Sequence, residues 1–266
     1  MNEQEQYVEL IADELGWDNP RARLAEAIES GSFSLYGQDI VDIRTSARLG
    51  REVLVRMHEE ENLLLPPGAF IPILEHFSMM PTLDQWVVDK VALIGETASG
   101  STMHFVNVSA QTLTDSGFTG QLSRVAARYP STVKTLCFEI DEQDARSLRD
   151  ETGKFVSAVK AVGFRVALDH FGKGRVSFEL LTHVRADYVK LDSSLVLAMG
   201  RGDAVAIAKL RAIHRVCRSI GIAPIAQCVE SDEVCKRLAQ LGIDYAQGYH
   251  FSAPVPIEIP GPPNAP

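Results

Sequence analysis

The chain has 266 residues, 45% hydrophobic and 23% charged, with 26 Lys and Arg against 35 Asp and Glu for a formal net charge of -9. That length accommodates one large α/β domain or two small ones, and the acidic balance excludes a general nucleic-acid polymer binder, so an anionic ligand must be captured locally or through metal ions. No apolar run reaches the roughly eighteen residues of a membrane span, the polar start MNEQEQYVELIADELGWDN is unlike a secretory signal, and Cys137, Cys217, Cys228 and Cys235 form no C-x-x-C pair, so a reduced, cytoplasmic chain is expected.

Residues 1 to 18 read as a short helical extension or linker, and NPRARLAEAIESG as the opening helix of the main domain. Eight apolar, β-branched segments read as strands: FSLYGQDIVDI (33–43), REVLVRM (51–57), MHFVNVS (103–109), VKTLCFEI (133–140), FRVALD (164–169), ADYVKLD (186–192), APIAQCV (223–229) and DYAQGYHF (244–251). HEEEN (58–62) reads as a solvated acidic turn, and LLLPPGAFIPILEHFSMM (63–80) as core helix; exposure of Phe77, Met79 and Met80 would instead mark a contact surface. Later helical patterns cover 142–163 with Gly163 as C-cap, 203–221, and 231–242 with Ser231 as N-cap. The proline-rich end 257–266 is expected to be extended and partly disordered, which places the main domain at 19–256. Repeated strand–helix alternation predicts an α/β fold, a (β/α)8 TIM-type barrel.

Polar residues collect at the C-terminal ends of these strands: Asn107, Glu139, Asp169, Lys190 with Asp192, Gln227 and Gln247. Such ends converge on one face of a parallel barrel. Glu52 sits among apolar neighbours in REVLVRM and needs a polar site or a partner for a buried charge. Carboxylates with one amide suit a hard cation such as Mg²⁺ or Mn²⁺. The remaining histidines lack metal-ligand spacing, and GKGR (172–175) lacks the ending of a phosphate-cradling loop.

Taken together, REVLVRM, FVNVSAQTL, CFEIDE, ALDHFGKG, YVKLD, AQCVES and QGYHFSAPV resemble, in order and spacing, the motifs of bacterial EAL domains, a barrel family that hydrolyses or senses cyclic di-GMP. The resemblance runs from about Arg21 to Pro256 and implies a barrel whose first strand can run antiparallel, with family dimer contacts following the 63–80 region. It implies Glu52, Asn107, Glu139 and Asp169 as metal ligands, Lys190 as the catalytic lysine that positions water, and Glu142 as the acid that steadies the loop after ALDHFG. Gln38, Leu54, Arg56, Asp169, Lys190 and Gln247 match ligand-binding positions.

Two departures bear on chemistry. His170 stands where the family has the second aspartate of D-D-F-G; an imidazole brings no negative charge and cannot readily bridge two ions, so as a metal ligand it is weak. Gln227 stands where the family has the first glutamate of A-E-G-V-E, and an amide cannot take a proton; general-base loss removes a factor of about 10² to 10⁴ in rate. Asp39 beside Gln38 is expected to place negative charge near an anionic ligand, GKGRVSF alters the loop after ALDHFG, and Cys228 replaces a glycine. The expectation is a degenerate EAL domain acting as a non-catalytic cyclic di-GMP receptor or signalling adapter, holding at most one Mg²⁺ or Mn²⁺ tightly and needing none to bind. Its partners are expected to be cyclic di-GMP and an upstream or downstream signalling protein, with a homodimer allowed. The alternatives are a phosphodiesterase yielding linear pGpG and a nucleotide-free protein-interaction domain.

Overall fold

A computed structural model describes residues 3–59, 63–97 and 102–260. The chain begins with α1 (Glu3–Glu14) and α2 (Pro20–Ser30), the latter capped by Asn19 Oδ1 accepting from Ala22 N and ended by Gly31 in the left-handed region (φ 81°). Then come β1 (Phe33–Asp42), β2 (Arg48–His58) and a short edge strand β3 (Leu64–Leu65) that sequence reading missed. Helices α3 (Pro67–His76) and α4 (Met80–Thr97) precede β4 (Met103–Val108), α5 (Ala110–Thr114), α6 (Ser116–Arg128) and β5 (Leu136–Asp141).

The predicted helix 142–163 is two helices, α7 (Glu142–Ser147) and α8 (Arg149–Val162). Leu148 (φ -114°, ψ 52°) breaks them, because the short α7 is a separate unit capped by Asp141. β6 (Arg165–Phe171), α9 (Phe178–Val184), β7 (Tyr188–Leu191), α10 (Ser193–Gly200), α11 (Ala204–Ile220), β8 (Ala223–Ala226), α12 (Asp232–Leu241), β9 (Tyr245–Gln247) and β10 (Val255–Pro256) complete the chain. The predicted strand 133–140 starts later, at Leu136, because Pro130–Lys134 forms a 3-10 turn.

The sheet order is β1-β9-β8-β7-β6-β5-β4-β2, and β1 pairs with β2 to close the eight-stranded barrel. β1 is antiparallel to both neighbours, with Gln38 opposite Glu52 and Ile40 opposite Gln247, while the other barrel pairings are parallel. Strands buried on both faces read as continuous apolar runs, as in β5. Ile40, Met103, Phe105, Cys137, Ala167, Tyr188 and Ile225 fill the lower barrel. Outside it, Phe118, Phe138, Phe155 and Phe164 pack edge-on and stacked between β5 and the helices.

Met80 is buried and Phe77 and Met79 are half-buried against the core, so this trio is core and not a free patch. The acidic turn 58–62 lies partly outside the described residues; Glu59 within it pairs with Arg23 at 2.9 Å. At the other end, Ile257 N donates to Leu35 O at 2.8 Å, tying the chain after β10 to β1, and residues 261–266 lie outside the described residues. No helix among the described residues is long and apolar enough to cross a membrane.

Candidate functional site

Above the apolar filling lies a polar layer built around Lys190 on β7, which is 0% exposed. Its Nζ sits 2.8 Å from Glu52 Oε2, 2.8 Å from Glu139 Oε1 and 3.9 Å from Asp169 Oδ1. Burial works against the ammonium's charge, but Asp169, Glu139 and Glu52 together raise its pKa above the ordinary lysine value. Burial likewise opposes ionisation of Glu52, yet Lys190 and hydrogen bonds from Gln247 and Asn107 hold its carboxyl below the usual range. For Glu139 burial wins and the pKa is raised, Lys190 notwithstanding. An amide chain extends the layer: Gln247 Nε2 donates to Glu52 Oε2 (2.6 Å) and Gln38 Oε1 (2.9 Å), and Gln38 Nε2 donates to Ser252 O (3.0 Å). Asn107 Nδ2 donates to Glu52 Oε1 at 3.3 Å.

Oxygen atoms of Glu52, Glu139 and Asp169 can lie within 4.8 Å of one another, the one such group of possible metal ligands among the described residues. Three buried carboxylates face a single ammonium, so the donor set fits one hard divalent cation, and a turn of the Asn107 amide would present its carbonyl.

A second cation meets a different environment. His170 follows Asp169 with φ 52°, a left-handed conformation uncommon for a non-glycine residue. Its N–H donates to Asp169 Oδ1 at 2.8 Å, and its Nδ1 lies 3.0 Å from Asp141 Oδ2 and 3.4 Å from Asp169 Oδ2. The hydrogen bond to Asp141 raises the imidazole's pKa, against burial and with help from the charge of Asp169. Gln227 Nε2 donates to the same Asp169 Oδ1 at 3.0 Å. Both oxygens of Asp169 therefore already face nitrogen groups.

Asp141 was absent from the sequence-derived candidates. Two signals pointed to it: it lies two residues beyond Glu139 on one strand, hence on the same face, and it immediately precedes a helix, where its Oδ1 accepts from Gln143 N at 2.6 Å. Glu142 Oε2 accepts from Gly172 N at 2.9 Å, its other oxygen pairs with Arg146, and Arg146 also donates to Arg175 O at 2.8 Å, so this acid joins β5 to the loop after β6.

The structure does not bring every candidate together. Arg56 lies over the Tyr36 ring at 5.5 Å, donates to Val55 O, and lines neither cavity of the barrel top. Asp192 caps α10 by accepting from Ser194 N at 3.0 Å. Asp39 does not confront the site as anticipated. Strand alternation turns it away from the face of Gln38, where it pairs with Arg51 (2.7 Å) and Arg48 (3.6 Å). Gln38, Glu52, His170, Gln227, Cys228 and Tyr249 line a polar cavity of about 240 Å³. Cys228 there holds φ 55°, so the left-handed turn persists without glycine. Leu54 lines a second, more apolar cavity of about 380 Å³ that shares Glu52, His170 and Gln227 with the first.

Comparison with known proteins agrees with this architecture. The sequence model of the EAL domain matches residues 21–254. Cyclic di-GMP phosphodiesterase PdeB of Shewanella oneidensis is 33% identical over 241 residues, covering 88% of this chain and 28% of that protein. Cyclic di-GMP phosphodiesterase PdeF of Escherichia coli is 28% identical over 240 residues, covering 88% of this chain and 32% of that protein. The chain thus spans about a third or less of the length of these relatives. Among solved structures, the FimX EAL domain from Pseudomonas aeruginosa bound to c-di-GMP superposes with a TM-score of 0.82 at 24% identity, covering 89% of this chain and 96% of that one. With a closed barrel, an antiparallel first strand and a family match across nearly its whole length, this chain belongs to the EAL domain family.

Proposed function

We propose that the barrel binds cyclic di-GMP as a receptor and hydrolyses it little or not at all, passing the bound state to a signalling partner. The observation that carries this reading is the saturation of Asp169: His170 N and Gln227 Nε2 both donate to its Oδ1, and His170 Nδ1 stands 3.4 Å from its Oδ2. A carboxylate so engaged has little left to bridge two cations, which in-line phosphodiester displacement uses to clamp the attacking and leaving oxygens. Glu52, Asn107, Glu139 and Asp169 would hold one Mg²⁺ or Mn²⁺, which when bound neutralises phosphate charge and polarises water. Lys190, buried among Glu52, Glu139 and Asp169, holds these carboxylates in place beneath the ligand. Gln227 can hydrogen-bond a water but cannot accept its proton, so no general base stands at that position.

The test is chromatography of linear pGpG after incubation with cyclic di-GMP and Mg²⁺ or Mn²⁺, comparing the natural chain with a Gln227→Glu, His170→Asp double variant. The natural chain should yield product at least about 10²-fold more slowly than the double variant. Comparable rates would overturn the receptor reading, and calorimetry showing no heat with cyclic di-GMP would remove ligand binding as well. A weak phosphodiesterase is the second reading, favoured by the assembly of Glu52, Asn107, Glu139, Asp169 and Lys190 in one cluster and by the names of the relatives. The same chromatography decides between them.

A further inference from the structure

The glycine-rich segment GKGR (172–175), to which the nucleotide reading gives no role, walls a separate cavity of about 310 Å³ between α7 and the loop after β6. Asp141, Glu142, Arg146, His170, Lys173 and Arg175 line it, and of these only His170 also lines the two cavities described above. Both acids are already engaged. Asp141 accepts from Gln143 N (2.6 Å) and faces His170 Nδ1 (3.0 Å), while Glu142 accepts from Gly172 N (2.9 Å) and pairs with Arg146. Two of the cations are free: the Lys173 ammonium and the Arg175 guanidinium have no partner among the described residues. Beyond Gly172 the loop is held by its carbonyls. Lys209 donates to Gly174 O (3.3 Å) and Arg146 to Arg175 O (2.8 Å), whereas the N–H groups of Lys173, Gly174 and Arg175 donate to nothing among the described residues. Three cations against two engaged acids leave a positive surplus on a chain whose net charge is -9.

We infer that this cavity is an anion site for a phosphate dianion, free or as a small monoester, separate from the place of the cyclic dinucleotide. A phosphate monoester carries about -1.5 to -2 charge and three terminal oxygens, whereas each phosphodiester of a cyclic dinucleotide carries a single negative charge. Arg175 offers a planar fork of N–H donors that matches two phosphate oxygens, and Lys173 offers a compact charge. Successive free backbone N–H groups beside glycines form the kind of concavity that cradles anions. A carboxylate, with two oxygens, would leave part of that donor set unmet. The volume lies near the lower end for small-ligand sites, which suits a phosphate or a short phosphate ester. Because Arg146 touches both Glu142 and the Arg175 carbonyl, a bound anion would add a second tie between α7 and the loop that follows His170.

The test is phosphorus NMR titration of the full chain at about 0.15 M salt, with inorganic phosphate, glycerol phosphate and dimethyl phosphate as probes. The two dianions should bind with Kd of about 1 mM or tighter, and the monoanionic diester at least about 5-fold more weakly. Equal affinity for the dianions assigns the site to free phosphate, and tighter glycerol phosphate assigns it to an ester; either agrees with a dianion site. The double variant Lys173→Ala, Arg175→Ala removes two side chains without described partners. It should keep its Tm and bind both dianions about 5- to 30-fold more weakly. Arg124→Gln with Lys134→Gln removes the same charge elsewhere on the surface and should leave binding unchanged. No dianion binding below about 10 mM, no loss in the Lys173 and Arg175 variant, or an equal loss in both double variants would overturn the inference. Displacement of phosphate by saturating cyclic di-GMP would place the anion in the nucleotide's cavity and overturn it as well. Phosphate binding as described in a chain that shows no heat with cyclic di-GMP would remove the receptor reading alone.

Discussion

Lys190→Met keeps the length of the side chain and removes its charge. In the natural chain the ammonium stands 2.8 Å from both Glu52 and Glu139, with Asp169 at 3.9 Å and no solvent exposure. Removing one partner of a buried ion pair costs about 3–5 kcal/mol, because the remaining charge has neither water nor counter-ion. The raised pKa of Glu139 lets it take a proton and places the expected loss toward the lower end. For a domain of this size that corresponds to a fall in Tm of about 6–20 °C. A divalent cation should substitute for the missing charge, returning about 2.7 kcal/mol when its concentration is 100 times Kd. Thermal unfolding in EDTA and in millimolar MnCl₂ checks both halves. The variant should melt lower in EDTA and gain more from Mn²⁺ than the natural chain. A loss below about 1 kcal/mol, or an equal Mn²⁺ shift in both proteins, would refute the view that Lys190 neutralises the same carboxylates that would hold a cation.

Two other positions bear on stability. Burial, aided by Arg51 and Arg48, lowers the His104 imidazole from 6.5 to about 4. The unfolded chain therefore takes this proton first: the contribution is complete above pH 6.5 and is lost as pH falls toward 4, amounting to about 2 kcal/mol by pH 5. Urea unfolding at pH 7.5 and 5.0 should show that much extra acid sensitivity relative to His104→Phe, and equal sensitivity would contradict it. At Gly248 a Cβ would meet Val229 O at 2.2 Å and Val229 N at 2.4 Å, both backbone atoms that cannot swing aside. Gly248→Ala should cost about 1–3 kcal/mol in chemical denaturation and disturb cyclic di-GMP binding, since Gln247 precedes it; a neutral substitution would show that the turn can shift freely.

The strands were legible because β4 to β8 are buried on both faces and appear as apolar runs, and because polar residues gather at one end of each. Glu52 was legible for the opposite reason, as a charge with apolar neighbours. What escaped was information carried by direction and by distance. Asp39 adjoins Gln38 in sequence but points to the other face, toward Arg51, so proximity along the chain misled. Asp141 has an ordinary capping role that conceals its contact with His170. The break at Leu148 was invisible because the apolar spacing of α7 continues into α8. The apolar cavity joins Leu54, Ile71 and Leu83, from one strand and two separate helices, and no local pattern announces such a meeting.

The reversed first strand has a topological corollary. In an all-parallel barrel the opening strand starts at the floor, beneath the ligand. Here Phe33 begins β1 opposite Met57, near the end of β2, so α2 delivers the chain at the rim and the β1–β2 hairpin forms the floor instead. Whatever α1 and α2 are coupled to thus stands on the same side as an arriving nucleotide, and occupancy has only the width of the rim, not the depth of the barrel, to cross.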